Sequence, residues 1–312
     1  MPRIAFLGTP AAAVPALRAL AGAGPAPAVF CNPDRPQGRG RLLEPPPVKR
    51  AALELGLAVH QPERWKLPET RELWRSLGID LAVVVAYGHL LPSWMLDSCP
   101  LGAWNLHFSL LPRWRGAAPV NWAVLAGDAE TGVSLMRLTP GLDEGPVLAR
   151  CRRPITAADA APALLEALAA DAAALLLAHL PALEAGTARP EPQDPDQATL
   201  APKLEKEMAF LDPARPGTDL HRRVRALQPW PGTELELAGT VVKVCAVGGL
   251  RPDPRPPGTL AWDRRGAWLT AGDGTALELT LLQRPGKPVQ PAPQALQPWG
   301  AAGTAAVTPR TA

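Results

Sequence analysis

Short apolar runs alternate with helical patterns over the first 150 residues, and this alternation restricts the fold more than any other feature of the sequence. The clearest run, Leu81–Ala86 (LAVVVA), is apolar without interruption. Such a run is typical of a central parallel strand that is covered on both faces. Strands that alternate with helices predict an α/β domain with a Rossmann-like, doubly wound and mostly parallel sheet. The predicted strands are Arg3–Leu7, Ala28–Cys31, Leu57–His60, Leu81–Ala86 and Gly102–His107, and the predicted helices are Val14–Ala21, Val48–Leu55, Glu69–Leu77, Val120–Ala126 and Ala160–Leu180.

The pattern changes near residue 187. Residues 187–203 lose hydrophobic periodicity and are rich in proline and acidic side chains, which is typical of a linker. We therefore expect one domain over residues 1–186 and a second over 204–312. The second domain begins with a partly helical segment, Leu204–Arg225, and its Ala-, Pro- and Thr-rich tail from Pro291 is expected to fray. Short alternating segments between Gly- and Pro-bearing turns predict a small β-barrel there, with strands at Leu235–Leu237, Thr240–Ala246, Ala267–Thr270 and Ala276–Leu282.

Composition and local patterns argue against several classes of protein. Of the 312 residues, 47% are hydrophobic and 20% are charged, which is typical of a globular chain of about two domains. No apolar run approaches the ~20 residues that cross a bilayer, and a signal-peptide pattern is missing, so we expect a cytoplasmic protein without a membrane partner. The four cysteines lack metal-ligand spacing, so we expect neither a metal site nor disulfides. Gly8 stands without the G-x-G-x-x-G pattern of dinucleotide-binding proteins.

Two polar residues with catalytic potential stand at the end of the last predicted strand of this sheet. Asn105 and His107 are two residues apart, so their side chains lie on one face of the strand. An amide donor and an imidazole in one crevice suit acyl transfer, because the amide stabilises an oxyanion and the imidazole moves a proton. Asp143, in the turn GLDEG (141–145), is a candidate to orient His107. The alternative interpretations are a strand-end asparagine, a hydrogen-bonded core histidine and a turn-capping aspartate.

Several segments of the chain carry a family resemblance. They are FLGTP (6–10), NPDRPQGRGR (32–41), VVVAYGHLLP (83–92), NLHFSLLPRWRGAAP (105–119), GLDEG (141–145) and RALQPWPGTELEL (225–237). Together they resemble the methionyl-tRNA formyltransferases, a branch of the folate-dependent formyltransferase family, and the resemblance covers nearly the whole chain. The Asn-x-His and Ser-Leu-Leu-Pro block marks the wider family. The Gly-Arg-Gly loop and the C-terminal module narrow the resemblance to the tRNA branch.

The resemblance implies a reaction and a set of site residues. In this family a formyl group passes from N10 of 10-formyltetrahydrofolate, a consumed co-substrate, to the amine of methionyl initiator tRNA, and no metal takes part. The donor is already activated, which agrees with the absence of a G-x-S-x-G nucleophile elbow from the sequence. Asn105, His107 and Asp143 match the catalytic residues of the family, and the C-terminal domain matches an OB-like tRNA-binding barrel. The residues that match the folate-binding segments are Ser109, Leu110, Leu111, Pro112, Tyr87, Gly88, His89 and Leu90.

A basic segment, residues 32–50, is longer than the ~2–6 residues that usually join a strand to a helix. It is either a solvated loop or a contact for the phosphates and acceptor end of a tRNA, and such binding should weaken as salt rises. In the resembling family this loop enters the acceptor stem, and Arg39 occupies the matching Gly-Arg-Gly position. The expected tRNA contacts are Arg35, Arg39, Arg41, Lys49, Lys203, Lys206 and Arg222, and the further candidates are Arg223, Arg225, Lys243, Arg264, Arg265 and Lys287.

Some residues depart from the family pattern or allow more than one role. Phe108 replaces a small residue, Glu144 stands where threonine is frequent, and Arg41 stands where lysine is frequent. Trp230, in QPWPG, is expected in the core or in an interface, with base stacking as the alternative.

Two rival functions are compatible with the sequence of the first domain. One is a formyltransferase that acts on a small amine, such as a sugar nucleotide or glycinamide ribonucleotide, and the other is a non-catalytic RNA-binding protein. We expect a monomer.

Overall fold

The computed structural model describes residues 1–37 and 42–308 and divides into two compact units. The N-terminal unit comprises Met1–Pro119, Glu130–Pro154 and Leu164–Ala201, and the C-terminal unit comprises the remainder. Residues 120–129 and 155–163 therefore cluster with the C-terminal unit, although they fall inside the first predicted domain.

The helices and strands of both units are numbered here in chain order. The helices are α1 (Val14–Ala23), α2 (Pro47–Glu54), α3 (Pro68–Leu77), α4 (Ser93–Asp97), α5 (Pro119–Ala126), α6 (Ala161–Glu184), α7 (Gly217–Ala226) and α8 (Ala292–Leu296), with short 3₁₀ helices at Ala11–Ala13, Pro195–Gln197, Lys206–Ala209 and Gln297–Trp299. The strands are β1 (Ile4–Gly8), β2 (Ala28–Phe30), β3 (Arg35–Gln37), β4 (Leu42–Glu44), β5 (Val59–His60), β6 (Leu81–Val85), β7 (Ala103–His107), β8 (Arg115–Gly116), β9 (Glu130–Arg137), β10 (Val147–Pro154), β11 (Leu200–Ala201), β12 (Thr233–Leu237), β13 (Thr240–Pro252), β14 (Thr259–Trp262), β15 (Ala267–Thr270), β16 (Thr275–Gln283), β17 (Gln290–Pro291) and β18 (Gly303–Thr308).

The N-terminal unit is built on a seven-stranded sheet in the order β10-β9-β7-β6-β1-β2-β5. The five strands from β7 to β5 are parallel, and β9 and β10 continue the sheet in antiparallel fashion. All five residues of β6 are buried between β1 and β7, as its unbroken apolar run predicts. The predicted α/β class with a mostly parallel sheet is thus confirmed. The sequence analysis missed β9, where Gly132 and Ser134 interrupt the apolar pattern, and β10, where arginines interrupt it.

Proline and glycine set the limits of the helices beside this sheet. Pro47 opens α2 and Pro68 opens α3, positions where the missing N–H costs no helical hydrogen bond. Gly78 ends α3 with a φ of +57°, a left-handed conformation that glycine adopts without strain. Residues 32–50, expected as a solvated loop or a tRNA contact, hold the antiparallel pair β3 and β4 and the start of α2.

Helix α6 corrects one statement made from the sequence. It is long and apolar enough to cross a membrane by length and composition, although no run of that kind was expected. The same properties are common in the core helices of globular proteins, where one face packs inward. In α6 the inward face is formed by Leu164, Leu168, Ala172, Leu176 and Leu183, which are all buried.

Residues 187–203 form backbone hydrogen bonds with the N-terminal unit at several points. Glu191 exchanges two backbone hydrogen bonds with Val147, at 2.8 and 2.9 Å. Further along, β11 adds in parallel to β8, which lies in the loop after β7. The segment therefore continues the structure of this unit up to Ala201.

The C-terminal unit contains a closed six-stranded barrel. Its strands follow the order β13-β12-β18-β14-β15-β16, and an antiparallel pairing of β13 with β16 closes the ring. The interior is filled by aliphatic side chains such as Leu235, Val244, Leu260 and Leu277. A closed barrel satisfies the backbone hydrogen bonds of every member strand and leaves no open edge. This confirms the small barrel that the turn-rich sequence predicts.

The expectation that the tail from Pro291 frays is wrong for residues 291–308, and residues 309–312 lie outside the described residues. Strand β18 lies between β12 and β14 and pairs with both, and Val307 is only 4% exposed. Helix α8 buries Ala292, Ala295 and Leu296 in the barrel core. The residues of this tail are small and weakly hydrophobic, so their pattern gives little sign of a strand. The backbone ladders on both sides of β18 hold it in the barrel.

Asp253 in the C-terminal unit provides a test of how this unit responds to pH. Its carboxylate is 3% exposed and accepts hydrogen bonds from Arg255 Nη2, at 2.7 Å, and from Thr270 Oγ1, at 3.1 Å. The hydrogen bonds from Arg255 lower its pKa to about 2. A pKa that is lower in the folded state means that the stabilisation is present above the unfolded value near ~4 and is lost as pH falls to about 2.

We expect Asp253→Asn to lower the free energy of unfolding by about 1–2 kcal/mol at neutral pH and by much less near pH 2. Urea unfolding measured between pH 2 and 7 checks this. Asp212→Asn is the matched control, because the Asp212 carboxylate is exposed and lies 4.0 Å from Arg215. Equal pH profiles for the wild type and Asp253→Asn would contradict the prediction.

Candidate active site

The candidate catalytic residues of β7 lie at the carboxyl end of the parallel sheet. His107 is the last residue of β7 and is 6% exposed, and Asn105 lies two positions earlier and is partly buried. His107 Nε2 lies 2.9 Å from the backbone oxygen of Trp114. A carbonyl oxygen only accepts hydrogen bonds, so Nε2 carries the proton and donates it. Among residues 1–37 and 42–308, none forms a hydrogen bond with the Asn105 side chain, so this amide is available to a ligand.

Asp143 meets His107 on the other side of the imidazole ring. Its Oδ2 lies 3.6 Å from His107 Nδ1, and its side chain is 15% exposed. The same oxygen accepts a hydrogen bond of 3.0 Å from the backbone N–H of Gly116. The structure therefore brings the predicted Asp143 and His107 together from two separate loops. The carboxylate stands where it stabilises positive charge that develops on Nδ1.

The two residues that face the ring nitrogens of His107, Trp114 and Asp143, both have strained backbone conformations. Trp114 has a φ of +64° and Asp143 a φ of +48°, a left-handed conformation that side chains other than glycine rarely adopt. Such a residue costs of order 1–3 kcal/mol, so the surrounding contacts must hold it. Strained residues of this kind concentrate at active sites, which agrees with a functional role for this corner of the fold.

Two glycines allow the loops around Asp143 to approach closely. Gly116 has a φ of +124°, and a Cβ there would lie 2.6 Å from the backbone oxygen of Ala201. A Cβ on Gly145 would collide with the backbone oxygen of Arg137. A side chain at either position would push apart the segments that hold the carboxylate.

Gln193 is a residue of this site that the sequence analysis missed. Its Nε2 donates to the backbone oxygens of Asp143 and Gly145, at 2.8 and 2.7 Å. Its Oε1 accepts from Arg115 Nε and Nη2, at 3.0 and 2.8 Å. Gln193 lies in residues 187–203, which were predicted to be a linker because they are rich in proline and acidic side chains, so it was not considered as a site residue. Its distance of 50 residues from Asp143 left no local signal.

The predicted folate segment Ser109–Pro112 is anchored by hydrogen bonds from neighbouring strands. Ser134 of β9 is central, since its hydroxyl donates to Ser109 O at 2.7 Å and accepts from Leu111 N at 3.1 Å. Arg150 Nε donates to Leu111 O at 2.9 Å. The side chains of Ser109 and Leu111 are buried, Leu110 and Pro112 belong to the same anchored loop, and Phe108 is buried as well. Phe108 therefore packs inside the fold.

The other predicted folate segment follows β6 and borders a cavity of about 540 Å³. Tyr87 is buried, and burial raises the pKa of its hydroxyl to about 12, so it stays protonated. Gly88, His89 and Leu90 are exposed. His89 and Leu90 line the cavity together with Arg64, Trp65, Lys66, Leu91 and Pro140. The cavity thus combines apolar walls with the cationic side chains of Arg64 and Lys66 and the carboxylate of Glu63.

The residues predicted to bind tRNA in the first domain have different surroundings. Arg35 is exposed on β3, whereas Arg39 and Arg41 lie outside the described residues. Lys49 Nζ donates to the Asp34 carboxylate, at 2.7 and 2.9 Å, and to Gln61 Oε1, at 2.8 Å. These hydrogen bonds lower the pKa of Asp34. The charge of Lys49 is therefore already balanced by Asp34, which leaves Arg35 as the better placed contact.

Basic residues of the C-terminal unit fall into exposed and internally bonded groups. Lys203 and Lys206 are exposed, and Arg222 lines a cleft of about 410 Å³ with His221 and Arg225. Arg225 donates to the backbone oxygens of Thr156 and Asp159 and to His221 Nδ1, and Arg223 donates to Met208 O. Arg223 and Arg225 thus serve mainly to hold this unit together. Trp230 is 56% exposed, so of the two expected positions the core is wrong, and the interface stays a prediction.

Metal ligation finds no support at this site. Within the part of the chain that the structure describes, no three His, Cys, Asp or Glu side chains cluster at ligand distance. The four cysteines are unpaired thiols, and burial raises the pKa of Cys31 and Cys99 to about 11.

Comparison with known proteins places this geometry in a family. Residues 3–180 match the family model described as formyl transferase, and residues 203–298 match that of the formyl transferase C-terminal domain. Among solved structures, an N-formyltransferase from Helicobacter canadensis in complex with folinic acid and dTDP-3-aminofucose superposes with a TM-score of 0.68 at 16% identity, over 89% of this chain and 99% of that one. HypX from Aquifex aeolicus with tetrahydrofolic acid gives 0.62 at 18% identity, over 95% and 47%. At these identities the likeness concerns the fold.

Curated relatives are much more similar in sequence. The methionyl-tRNA formyltransferase of Halorhodospira halophila is 51% identical over 91% of this chain and 92% of its own length. Those of Methylococcus capsulatus and Ruegeria pomeroyi are 48% and 45% identical, over 91% and 95% of this chain. The chain therefore belongs to the formyltransferase family, within its methionyl-tRNA formyltransferase branch.

Proposed function

We propose that this protein transfers the formyl group of 10-formyltetrahydrofolate to the amino group of methionyl initiator tRNA and so supports translation initiation. The observation that carries the proposal is the approach of Asp143 to His107 at the carboxyl end of β7, two residues after Asn105, in a chain about half identical to methionyl-tRNA formyltransferases. Ligands of open α/β sheets bind at that end of the strands. We further propose that residues 1–186 form the catalytic domain, 187–203 a connecting segment and 204–312 a tRNA-binding domain.

The chemistry requires a neutral amine, stabilisation of a tetrahedral oxyanion and proton movement to the leaving nitrogen. The amine nitrogen forms a bond to the formyl carbon, the bond from that carbon to N10 breaks, and the proton lost by the amine ends on N10. The Asn105 amide and His107 Nε2–H are the donors to the oxyanion, and the Nε2–H exchanges its hydrogen bond to Trp114 O for one to the oxyanion as the intermediate forms. Asp143 orients the imidazole from the Nδ1 side and helps to accept the proton of the amine.

The cavity beside Tyr87–Leu90 is our proposed entry for the folate. Its volume of about 540 Å³ lies within the ~300–1,000 Å³ usual for small-molecule sites. Trp65, Leu90 and Leu91 suit the flat aromatic part of a folate, and Arg64 and Lys66 suit its carboxylates. Pro140 at its rim stands three residues before Asp143, which connects the cavity to the catalytic turn.

The tRNA is proposed to contact Arg35 and the Gly-Arg-Gly segment with Arg39 and Arg41, together with Lys203, Lys206 and Arg222. Arg35, Lys203 and Lys206 are exposed, which supports contact with phosphates. Lys49 is proposed to act indirectly, since its ion pair with Asp34 holds the residue just before β3. We propose that the enzyme acts as a cytoplasmic monomer.

An acceptor assay tests the proposal against its rivals. The protein is incubated with 10-formyltetrahydrofolate labelled in the formyl group and with methionyl-tRNA, a sugar nucleotide carrying an amine, or glycinamide ribonucleotide. We expect label on methionyl-tRNA only. Label on a small amine would establish one of the small-amine rivals, and tRNA binding without any transfer would favour the non-catalytic alternative.

A further inference from the structure

Gln193 occupies a point where two loops of the active site meet. The first loop contains Arg115 and Gly116, and the Gly116 N–H donates to Asp143 Oδ2. The second is the turn 141–145, whose backbone places Asp143 at a φ of +48°. The Gln193 amide is bonded to Arg115 in the first loop and to the carbonyls of Asp143 and Gly145 in the second. It therefore joins the two segments that fix the carboxylate facing His107.

All the hydrogen-bonding capacity of this amide is in use. A glutamine side chain offers two N–H donors and an oxygen with two acceptor sites. The two carbonyls take both donors, and the guanidinium of Arg115 supplies both hydrogen bonds to Oε1. Carbonyls only accept and a guanidinium only donates, so the orientation of the amide is fixed by its partners. Neither aspartate nor glutamate at position 193 reproduces this pattern.

The backbone around Gln193 is held in place as well. Two residues earlier, Glu191 exchanges two backbone hydrogen bonds with Val147 of β10. A few residues later, the N–H of Arg115 donates to Thr199 O at 2.9 Å, just before β11 pairs with β8. Gln193 thus reaches the turn from a segment anchored on both sides.

We propose that Gln193 is a positioning residue that holds Asp143 against His107, an inference that rests on the proposed function. The hydrogen bonds of Gln193 go to Arg115 and to the backbone of the turn, so its effect on the Asp143 carboxylate passes through that backbone. Because the left-handed conformation at Asp143 is costly, the two hydrogen bonds from Gln193 keep the turn in the geometry that the carboxylate needs. A displacement of about 1 Å at such a site reduces the rate roughly 100-fold.

Gln193→Glu is the sharpest variant. It keeps the size of the side chain and an oxygen that accepts from Arg115, but it replaces the Nε2 donor by an oxygen that cannot donate to the carbonyls of Asp143 and Gly145. We expect kcat to fall roughly 10- to 100-fold, with little change in KM for either substrate and in Tm. Gln197→Glu is the matched control in the same segment, because Gln197 is exposed and its Nε2 contacts Asp194 alone. It should retain the kcat of the wild type.

A double-mutant cycle separates positioning from a merely structural role. If Gln193 acts through Asp143, then Gln193→Glu should lower kcat little further in an Asp143→Asn background. Additive losses of kcat would overturn the proposal, and so would a wild-type kcat in Gln193→Glu.

A second readout does not need turnover. The ¹⁵N signals of the His107 ring, assigned by their absence from His107→Gln, should move in Gln193→Glu toward their positions in Asp143→Asn. Signals unchanged from the wild type would overturn the proposal. A wild type that fails to formylate methionyl-tRNA would defeat the proposed function instead, and the ring signals would still decide the role of Gln193.

Discussion

Replacing His107 by alanine is expected to lower kcat by roughly 10²–10³-fold while the fold stays intact, and Asn105→Ala should have a similar effect. The physical reason is that each variant removes one donor to the oxyanion of the tetrahedral intermediate. His107→Ala also leaves the Asp143 carboxylate without the imidazole that it faces at 3.6 Å. KM values for the folate and for methionyl-tRNA should change little, because these donors act mainly in the transition state.

Steady-state formylation with each substrate varied in turn measures these effects, and circular dichroism checks the fold. His179→Ala is the control, since His179 lies on α6 away from the candidate site residues in sequence and carries no proposed role. Turnover close to that of the wild type in either site variant would contradict the assignment of Asn105 and His107 to the reaction.

Removal of residues 303–312 is expected to unfold the barrel of the C-terminal unit. Strand β18 fills the place between β12 and β14, so its loss breaks two hydrogen-bonded ladders and opens the ring. It also exposes apolar side chains that Val307 covers. We expect the truncated chain to lose the cooperative thermal transition of this unit and to be cleaved rapidly by protease within residues 233–302.

Two point variants in β18 test the same claim without shortening the chain. Val307 is buried and Ala306 is exposed, so their side chains lie on opposite faces of one strand. Val307→Asp places a charge in the barrel core and should lower the free energy of unfolding by about 4 kcal/mol or more. Ala306→Asp is the matched control and should change it by less than about 0.5 kcal/mol. Equal stabilities of the two variants would refute the burial of this strand.

The sequence predicts those features of the fold that strong local patterns encode. The apolar run of β6 and the alternation of strands with helices predicted the α/β class correctly. Weak patterns failed, because β18 is composed mainly of glycine, alanine and threonine and is held by its neighbours. A strong pattern was also misjudged, since the sequence analysis found no apolar run near 20 residues, whereas α6 is that long and apolar. Its buried face is that of a core helix.

The candidate site shows the same division between local and distant information. Period-2 spacing is enough to place Asn105 and His107 on one face, and the Gly-flanked turn 141–145 together with the family resemblance indicates Asp143. Gln193 was missed because its partners, Arg115 and Asp143, are separated from it by 78 and 50 residues. The sequence also treats Lys49 as a free cation, whereas the fold brings Asp34 to its side. Contacts between residues so far apart in sequence do not affect the local hydrophobic periodicity from which the prediction was made.

The place of β18 in the ring has a consequence for the nascent chain. On the ribosome, β12 to β17 are all made before β18, so the gap between β12 and β14 persists until residues 303–308 emerge. During that interval the two strands present unpaired backbone groups, which favour association with other chains. The N-terminal unit has no such delay, because its own strands are complete by residue 201. Assembly of this protein in the cell therefore proceeds with one half finished while the other still needs protection from aggregation.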